Sequence, residues 1–205
     1  RDVMLREPYH QVWSAMMRTT QEMMWDSIGD SIERQLGELV ETAKPNGRAK
    51  GSLTLDGDLK MPRYVTAVDI HCMPGNYTGD LCEDDVFAGA LYDRGVYLYM
   101  MGGMGPYNAS TGETLIGYMK TEHPAFRPAR ILDIGSSVGH STLPYVDAFP
   151  EAEVHAIDVS AAMVRYAHGR AEALGKAVHF AQQNAEHTNY PGGHFDLIVS
   201  HIMLH

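Results

Sequence analysis

Between residues 131 and 141 the chain reads Ile131-Leu132-Asp133-Ile134-Gly135-Ser136-Ser137-Val138-Gly139-His140-Ser141, and this segment restricts the fold more than any other. An apolar run of strand length ends on Gly135, which can take a left-handed backbone that a side chain would resist. Gly139 lies where the next helix would begin, and it lets the backbone approach a ligand beside that helix's unpaired N–H groups. Asp133 sits two residues before the first glycine, at the carboxyl end of the strand. A fixed carboxylate there suits a cationic ligand group better than a pyrophosphate. A dinucleotide fingerprint wants glycines at the first, third and sixth places of such a turn, but Ser137 and His140 hold the third and sixth. A P-loop is also excluded, because no Gly-Lys-Ser/Thr follows.

Strand and helix alternate from this point. Glu153–Asp158 reads as a strand, and Ser160–Leu174 as a helix with Ser160 as N-cap and Gly175 as its stop. Val178–Asn184 and Phe195–His201 read as the third and fourth strands. That order predicts a parallel sheet with crossover helices. Asp158 ends the second strand, where an acid can accept both hydroxyls of a ribose; capping the helix beside Ser160 is its competing role. Asn184-Ala185-Glu186 follows the third strand, placed to meet an adenine edge.

In this order and spacing, the glycine turn, Asp158, Asn184 with Ala185, and Phe195-Asp196-Leu197-Ile198-Val199-Ser200 resemble class I S-adenosylmethionine-dependent methyltransferases over residues 126–205. The resemblance implies an α/β fold, a Rossmann-like doubly wound parallel sheet, with four of the family's seven strands present. It implies S-adenosyl-L-methionine as cofactor and S-adenosyl-L-homocysteine as product. Asp133, Gly135 and Gly139 would line the methionine moiety, Asp158 the ribose, and Asn184 with Ala185 the adenine. Ser137 replaces the middle glycine of the family's motif, and Asn184 replaces a frequent aspartate while still offering a carbonyl to the adenine amino group. The chain starts at Arg1 and stops inside an apolar run, so it reads as a piece of something longer, with its fourth strand left as an aggregation-prone edge.

Residues 1–125 read as a mainly helical or mixed cap, divided from the core by Pro124 and Pro128. Apolar residues from Tyr9 to Ala43 recur at helical spacing and carry a methionine and aromatic stripe fit for core or a homodimer contact. Lys44-Pro45-Asn46-Gly47 would stop this helix, and Asp26-Ser27 with Gly29 offers a break within it. Ser52–Leu55 and Asp58–Met61 flank Asp56-Gly57 as a hairpin, and Tyr64–Cys72 reads as a strand. Asp84–Tyr92 reads as a short helix, and Ser110 with Glu113 as a capping box for a helix to about Thr121. Tyr97, Tyr99 and Tyr107, in a glycine-rich stretch, are candidate walls of the acceptor site.

The net charge of −10 is spread over both halves and argues against nucleic acid as partner. No apolar run suits a membrane span, and two cysteines are too few for a disulfide framework, so a cytoplasmic setting is expected. His201 and His205 are candidates for a general base, with a polar pocket wall as their competing role, and Tyr99 and Tyr107 are candidates for catalytic contacts. No third ligand stands near the two histidines at a metal-binding spacing, so no metal is expected. The favoured reading is methyl transfer to an oxygen, nitrogen or carbon of a small molecule. A non-catalytic module that binds the cofactor, or a protein methyltransferase, stays open.

Overall fold

The computed structural model describes residues 2–45, 49–67, 69 and 71–203. Its helices are α1 (Asp2–Arg6), α2 (Pro8–Ala43), α3 (Arg63–Thr66), α4 (Phe87–Tyr99), α5 (Ser110–Glu122), α6 (Leu143–Ala148) and α7 (Ala161–Ala173). The strands are β1 (Ser52–Thr54), β2 (Arg130–Ile134), β3 (Glu153–Asp158), β4 (His179–Gln182) and β5 (Leu197–Val199). All pair in parallel, in the order β1-β4-β3-β2-β5. This is the α/β, Rossmann-like sheet expected, with a mainly helical N-terminal region beside it.

Alternation along the strands sorts the side chains to two faces. Ile131, Val154, Ala156 and Phe180 pack with Ile116 of α5, Tyr145 of α6 and Val164 and Ala167 of α7. Leu132, Ile157 and Ala181 turn the other way, toward Tyr190 and Phe195. Ser160 caps α7 as expected, its hydroxyl accepting the Met163 N–H at 3.3 Å.

Several local expectations fail. Ser52–Thr54 does not fold back as a hairpin; it pairs with β4 and extends the sheet at one edge. The turn itself does form, with the Leu59 N–H donating to the Asp56 carbonyl at 3.2 Å, but 52–54 pairs with an existing parallel edge rather than with the segment after the turn. Tyr64 belongs to the short helix α3 instead of a strand, and α4 begins at Phe87 and runs on to Tyr99. The capping box at Ser110 is not made: Ser110 is already helical, and Ala109 precedes it without a side-chain cap. The Pro8–Ala43 helix passes Gly29 unbroken. Asn46-Gly47 of the expected stop and Ile70 lie outside the described residues.

The N-terminal elements are anchored by one indole. Trp25 of α2 is buried against α4, and its Nε1 donates to the His71 carbonyl at 2.7 Å. Gly95 makes this approach possible, since a Cβ there would lie 1.9 Å from the Trp25 ring. Gly95→Ala is therefore expected to destabilise the fold by about 1–3 kcal/mol through overpacking, read as a lower urea midpoint at unchanged slope.

Candidate functional site

A cleft of about 510 Å³ opens where β2 and β3 end. Its position follows from strand order: β2 has β3 on one side and β5 on the other, and ligands settle in the crevice where the order reverses. The sheet supplies Gly135, Ser136, Ser137, Ile157, Asp158, Val159, Gln183 and Ala185 to the lining. The N-terminal region supplies an apolar and aromatic wall that includes Met24, Trp25, Tyr77, Tyr92, Tyr99 and Met100.

Asp158 stands at the centre of the sheet side. Its Oδ2 accepts the Ser137 N–H at 2.9 Å and the Tyr77 hydroxyl at 3.0 Å, and its Oδ1 accepts the Ser160 N–H at 3.0 Å. Burial pushes this carboxyl above the ordinary range, while the Ser160 and Ser137 N–H groups and the Tyr77 hydroxyl pull the other way. The capping role and a position in the cleft thus coexist in one side chain.

The glycine turn divides its labour. Gly135 has φ +73°, and a Cβ there would meet the Met203 side chain, which also lines the cleft. Ser137 takes φ 50°, a left-handed conformation that favours glycine, so the place of the family's middle glycine keeps its geometry despite the side chain. Gly139 has φ +79°, but its Cβ direction faces Phe180 and Leu143 in the core. Its left-handed backbone favours glycine at 139.

Asp133 lies beneath the cleft and not on its wall. It accepts Thr142 Oγ1–H at 2.6 Å and Ser141 Oγ–H at 3.2 Å, and Ser141 itself lines the cleft. Burial raises the Asp133 carboxyl to about 7, against the lowering effect of those two hydroxyls. Asn184 is also set back, its Oδ1 accepting the Glu186 N–H at 2.9 Å and the Tyr64 hydroxyl at 3.4 Å, while its neighbours Gln183 and Ala185 reach the lining.

Of the histidine and tyrosine candidates, Tyr99 and His201 line the cleft. His201 Nε2 lies 3.1 Å from the Tyr145 hydroxyl, and burial lowers its basicity. Tyr97 and Tyr107 do not line it: Tyr97 stacks beneath the Arg94 guanidinium, and the Tyr107 carbonyl accepts from Arg170. His205 lies outside the described residues. Among the described residues, no group of three His, Cys, Asp or Glu is arranged to hold a metal ion.

Sequence reasoning missed Tyr77, Tyr92, Trp25 and the pair His140–Asp93. His140 Nε2 lies 2.5 Å from Asp93 Oδ1, and Asp93 Oδ2 accepts the Tyr166 hydroxyl at 2.8 Å. The one available signal was a histidine directly after Gly139; Asp93 sits 47 residues away and only folding joins them.

Residues 131–205 match the family described as "Methyltransferase domain". Over these residues the chain is similar to a methyltransferase domain. Over 75 residues, 36% of this chain and 27% of the relative, it is 37% identical to the malonyl-[acyl-carrier protein] O-methyltransferase of Geobacter sulfurreducens. An uncharacterised protein of Rickettsia prowazekii is 27% identical over 127 residues, 62% of this chain and 22% of that protein. The chain spans about a quarter of the length of these curated relatives. A solved phosphoethanolamine N-methyltransferase of Haemonchus contortus, with S-adenosylhomocysteine bound, aligns at 24% identity and a TM-score of 0.43 over 54% of this chain and 26% of that one.

Asp133 gives a test of the buried framework. Its folded-state pKa lies above the unfolded value, so its contribution to stability is full below about pH 4 and is lost as pH rises through about 7. Asp133→Asn is expected to gain on the native protein as pH goes from about 5 to about 8, by roughly a few kcal/mol, in paired urea titrations. An unchanging difference across that range would mean that the carboxyl is not perturbed.

Proposed function

We propose that the cleft binds S-adenosylmethionine and that the protein transfers its methyl group to a small-molecule acceptor. The observation that carries this reading is Asp158 at the end of β3, in the cleft, with one carboxylate oxygen already accepting a hydroxyl, that of Tyr77. A ribose hydroxyl offers the same donor, so the carboxylate fits the cofactor once Tyr77 yields or shares its place. Gly135 and Ser137 fit the methionine moiety, with Asp133 acting through Ser141 and Gly139 shaping the turn. Ala185, with Asn184 behind it, fits the adenine.

Bound there, the cofactor supplies an electrophilic methyl group on a sulfonium. This chain's residues position it, exclude water through the Trp25, Met24 and Met100 wall, and offer the faces of Tyr77 and Tyr92 to positive charge. Residues 1–125 act as the cap that shapes the acceptor side. The homologous malonyl-[acyl-carrier protein] O-methyltransferase supports methyl transfer to a non-nucleic-acid acceptor. In line with these readings, we assign the protein to the cytoplasm.

Asp158→Ala is expected to weaken S-adenosylhomocysteine binding by about 1–3 kcal/mol in calorimetry, the cost of unpaired ribose hydroxyls in a closed site. Asp158→Asn, which keeps acceptor capacity, should lose less. Unchanged affinity in both would place the ribose elsewhere.

The homodimer reading rests on α1 and the first half of α2, where Val3, Tyr9, Val12, Trp13 and Met16 are all at least half exposed. A second copy of this apolar stripe is the partner that matches it. Trp13→Glu should shift sedimentation from dimer to monomer; a native chain already monomeric at high concentration would remove the assignment.

A further inference from the structure

We propose that His140, held by Asp93, is the base that takes the proton from an aromatic hydroxyl acceptor in the cleft. The inference rests on the methyltransferase reading and deepens it in two respects, the acceptor class and the residue that activates it.

The first argument is the dyad. Asp93 is a carboxylate and accepts only, so the 2.5 Å contact puts a hydrogen on His140 Nε2 and leaves the lone pair on Nδ1. The Asn108 amide, 3.3 Å from the same nitrogen, donates to the Asp93 carbonyl at 3.3 Å. Asp93 is fixed from α7 by the Tyr166 hydroxyl at 2.8 Å and by Arg170 Nε at 3.4 Å. Burial works to raise the Asp93 carboxyl, but the hydrogen bond and charge of His140, with Arg170 and Tyr166, bring it below the ordinary range. It therefore stays anionic and can stabilise an imidazolium. The charged and titratable groups around His140 are thus Asp93 and Tyr92 from α4, and Tyr166 and Arg170 from α7 acting through Asp93; Tyr92 stacks on the ring at 6.2 Å.

Position is the second argument. His140 follows the glycine turn directly and lines the cleft, so a base there faces both the cofactor side and the N-terminal wall. His201, which also lines the cleft, has a tyrosine hydroxyl as its partner and not a carboxylate that would stabilise its charged form.

The third argument is what the lining lacks. Among the described residues it contains no lysine or arginine, and it includes Asp69 and Asp158. A carboxylate or phosphate acceptor would enter without a counter-charge. Such an acceptor is already ionised at neutral pH and has no use for a base. A phenol, with a pKa of about 10 like that of tyrosine, is neutral on entry and needs one. Trp25, Tyr92, Tyr99 and Met100 provide the flat, apolar surfaces that suit an aromatic ring.

In the step itself, the acceptor oxygen forms a bond to the methyl carbon as the carbon–sulfur bond breaks, and that electron pair stays on sulfur. The hydroxyl proton passes to His140 Nδ1. The imidazolium, held by Asp93, returns the proton to water after the neutral ether leaves.

The test uses the full chain with naphthol, naphthoate and naphthylamine as matched acceptors, and calorimetry with S-adenosylhomocysteine as a separate measure of the cofactor site. Naphthol should be methylated, and the other two at less than about a tenth of its rate. His140→Gln, with His140→Asn as a second variant, should lower kcat on naphthol at least about 100-fold, with product affinity changed less than twofold. The loss should shrink at least tenfold on nitrophenol, which is already ionised in mildly alkaline buffer. In the native chain kcat on naphthol should show an acid limb that disappears in His140→Gln. Failure of S-adenosylhomocysteine to bind the native chain would sink the methyltransferase reading itself. Product binding without naphthol turnover, preference for naphthoate or naphthylamine, or an unchanged acid limb in His140→Gln would overturn the base and acceptor assignment alone.

Discussion

Three segments distant in sequence converge on the carboxylate of Asp158. It accepts the N–H of Ser137 in the glycine turn, the N–H of Ser160 at the start of α7, and the hydroxyl of Tyr77 from the N-terminal region. Burying an ionisable group costs free energy unless its lone pairs are satisfied, and these donors satisfy them. The same carboxylate thereby sets the end of β3, the register of the turn after β2 and the seat of the cap. A group that lines the cleft is also the group that ties these segments together.

The N-terminal region is bound to this framework by packing of another kind. Trp25 lies against the backbone of α4 at Gly95, and Tyr166 of α7 reaches across to Asp93 of α4. The helices that carry the aromatic wall are thus tied to the sheet's own crossover helix. β1 extends this union by pairing with β4, so the sheet itself includes a strand from the N-terminal part. The cleft is accordingly built from both parts of the chain, with Ser136, Ser137, His140 and Asp158 on the sheet side and Trp25, Tyr77, Tyr92 and Met100 on the N-terminal side.

That division suits methyl transfer. The reaction needs a fixed donor, a dry approach and, for a neutral hydroxyl, a place for one proton. On the proposed reading, the glycine turn and the Asp158 carboxylate would provide the first, aromatic and methionine side chains the second, and the His140–Asp93 pair the third. None of these depends on a long constellation of reactive side chains, which is why so little chemistry stands out along the chain.

Local rules were enough for the sheet. The run before Gly135, the alternation after it, the cap at Ser160 and the stop at Gly175 are all short-range patterns, and they fall where the structure has them. The left-handed turns at Gly135 and Gly139 were equally legible from residue type, whereas that at Ser137 was not. The N-terminal region was not: β1 exists because an unpaired edge of β4 was waiting for it, and a hairpin at Asp56-Gly57 was the better local guess. For the same reason Asp133 and Gly139 could be named from the motif, yet only packing showed that one lies under the cleft and the other faces the core. His140 and Asp93 become partners only when α4 crosses the start of the second half. Sequence determined strands β2 to β5, the glycines of the turn and the acid at the end of β3, since each rests on contacts within a few residues. Tertiary structure alone decided what stands opposite them, because that depends on which distant surfaces bury each other.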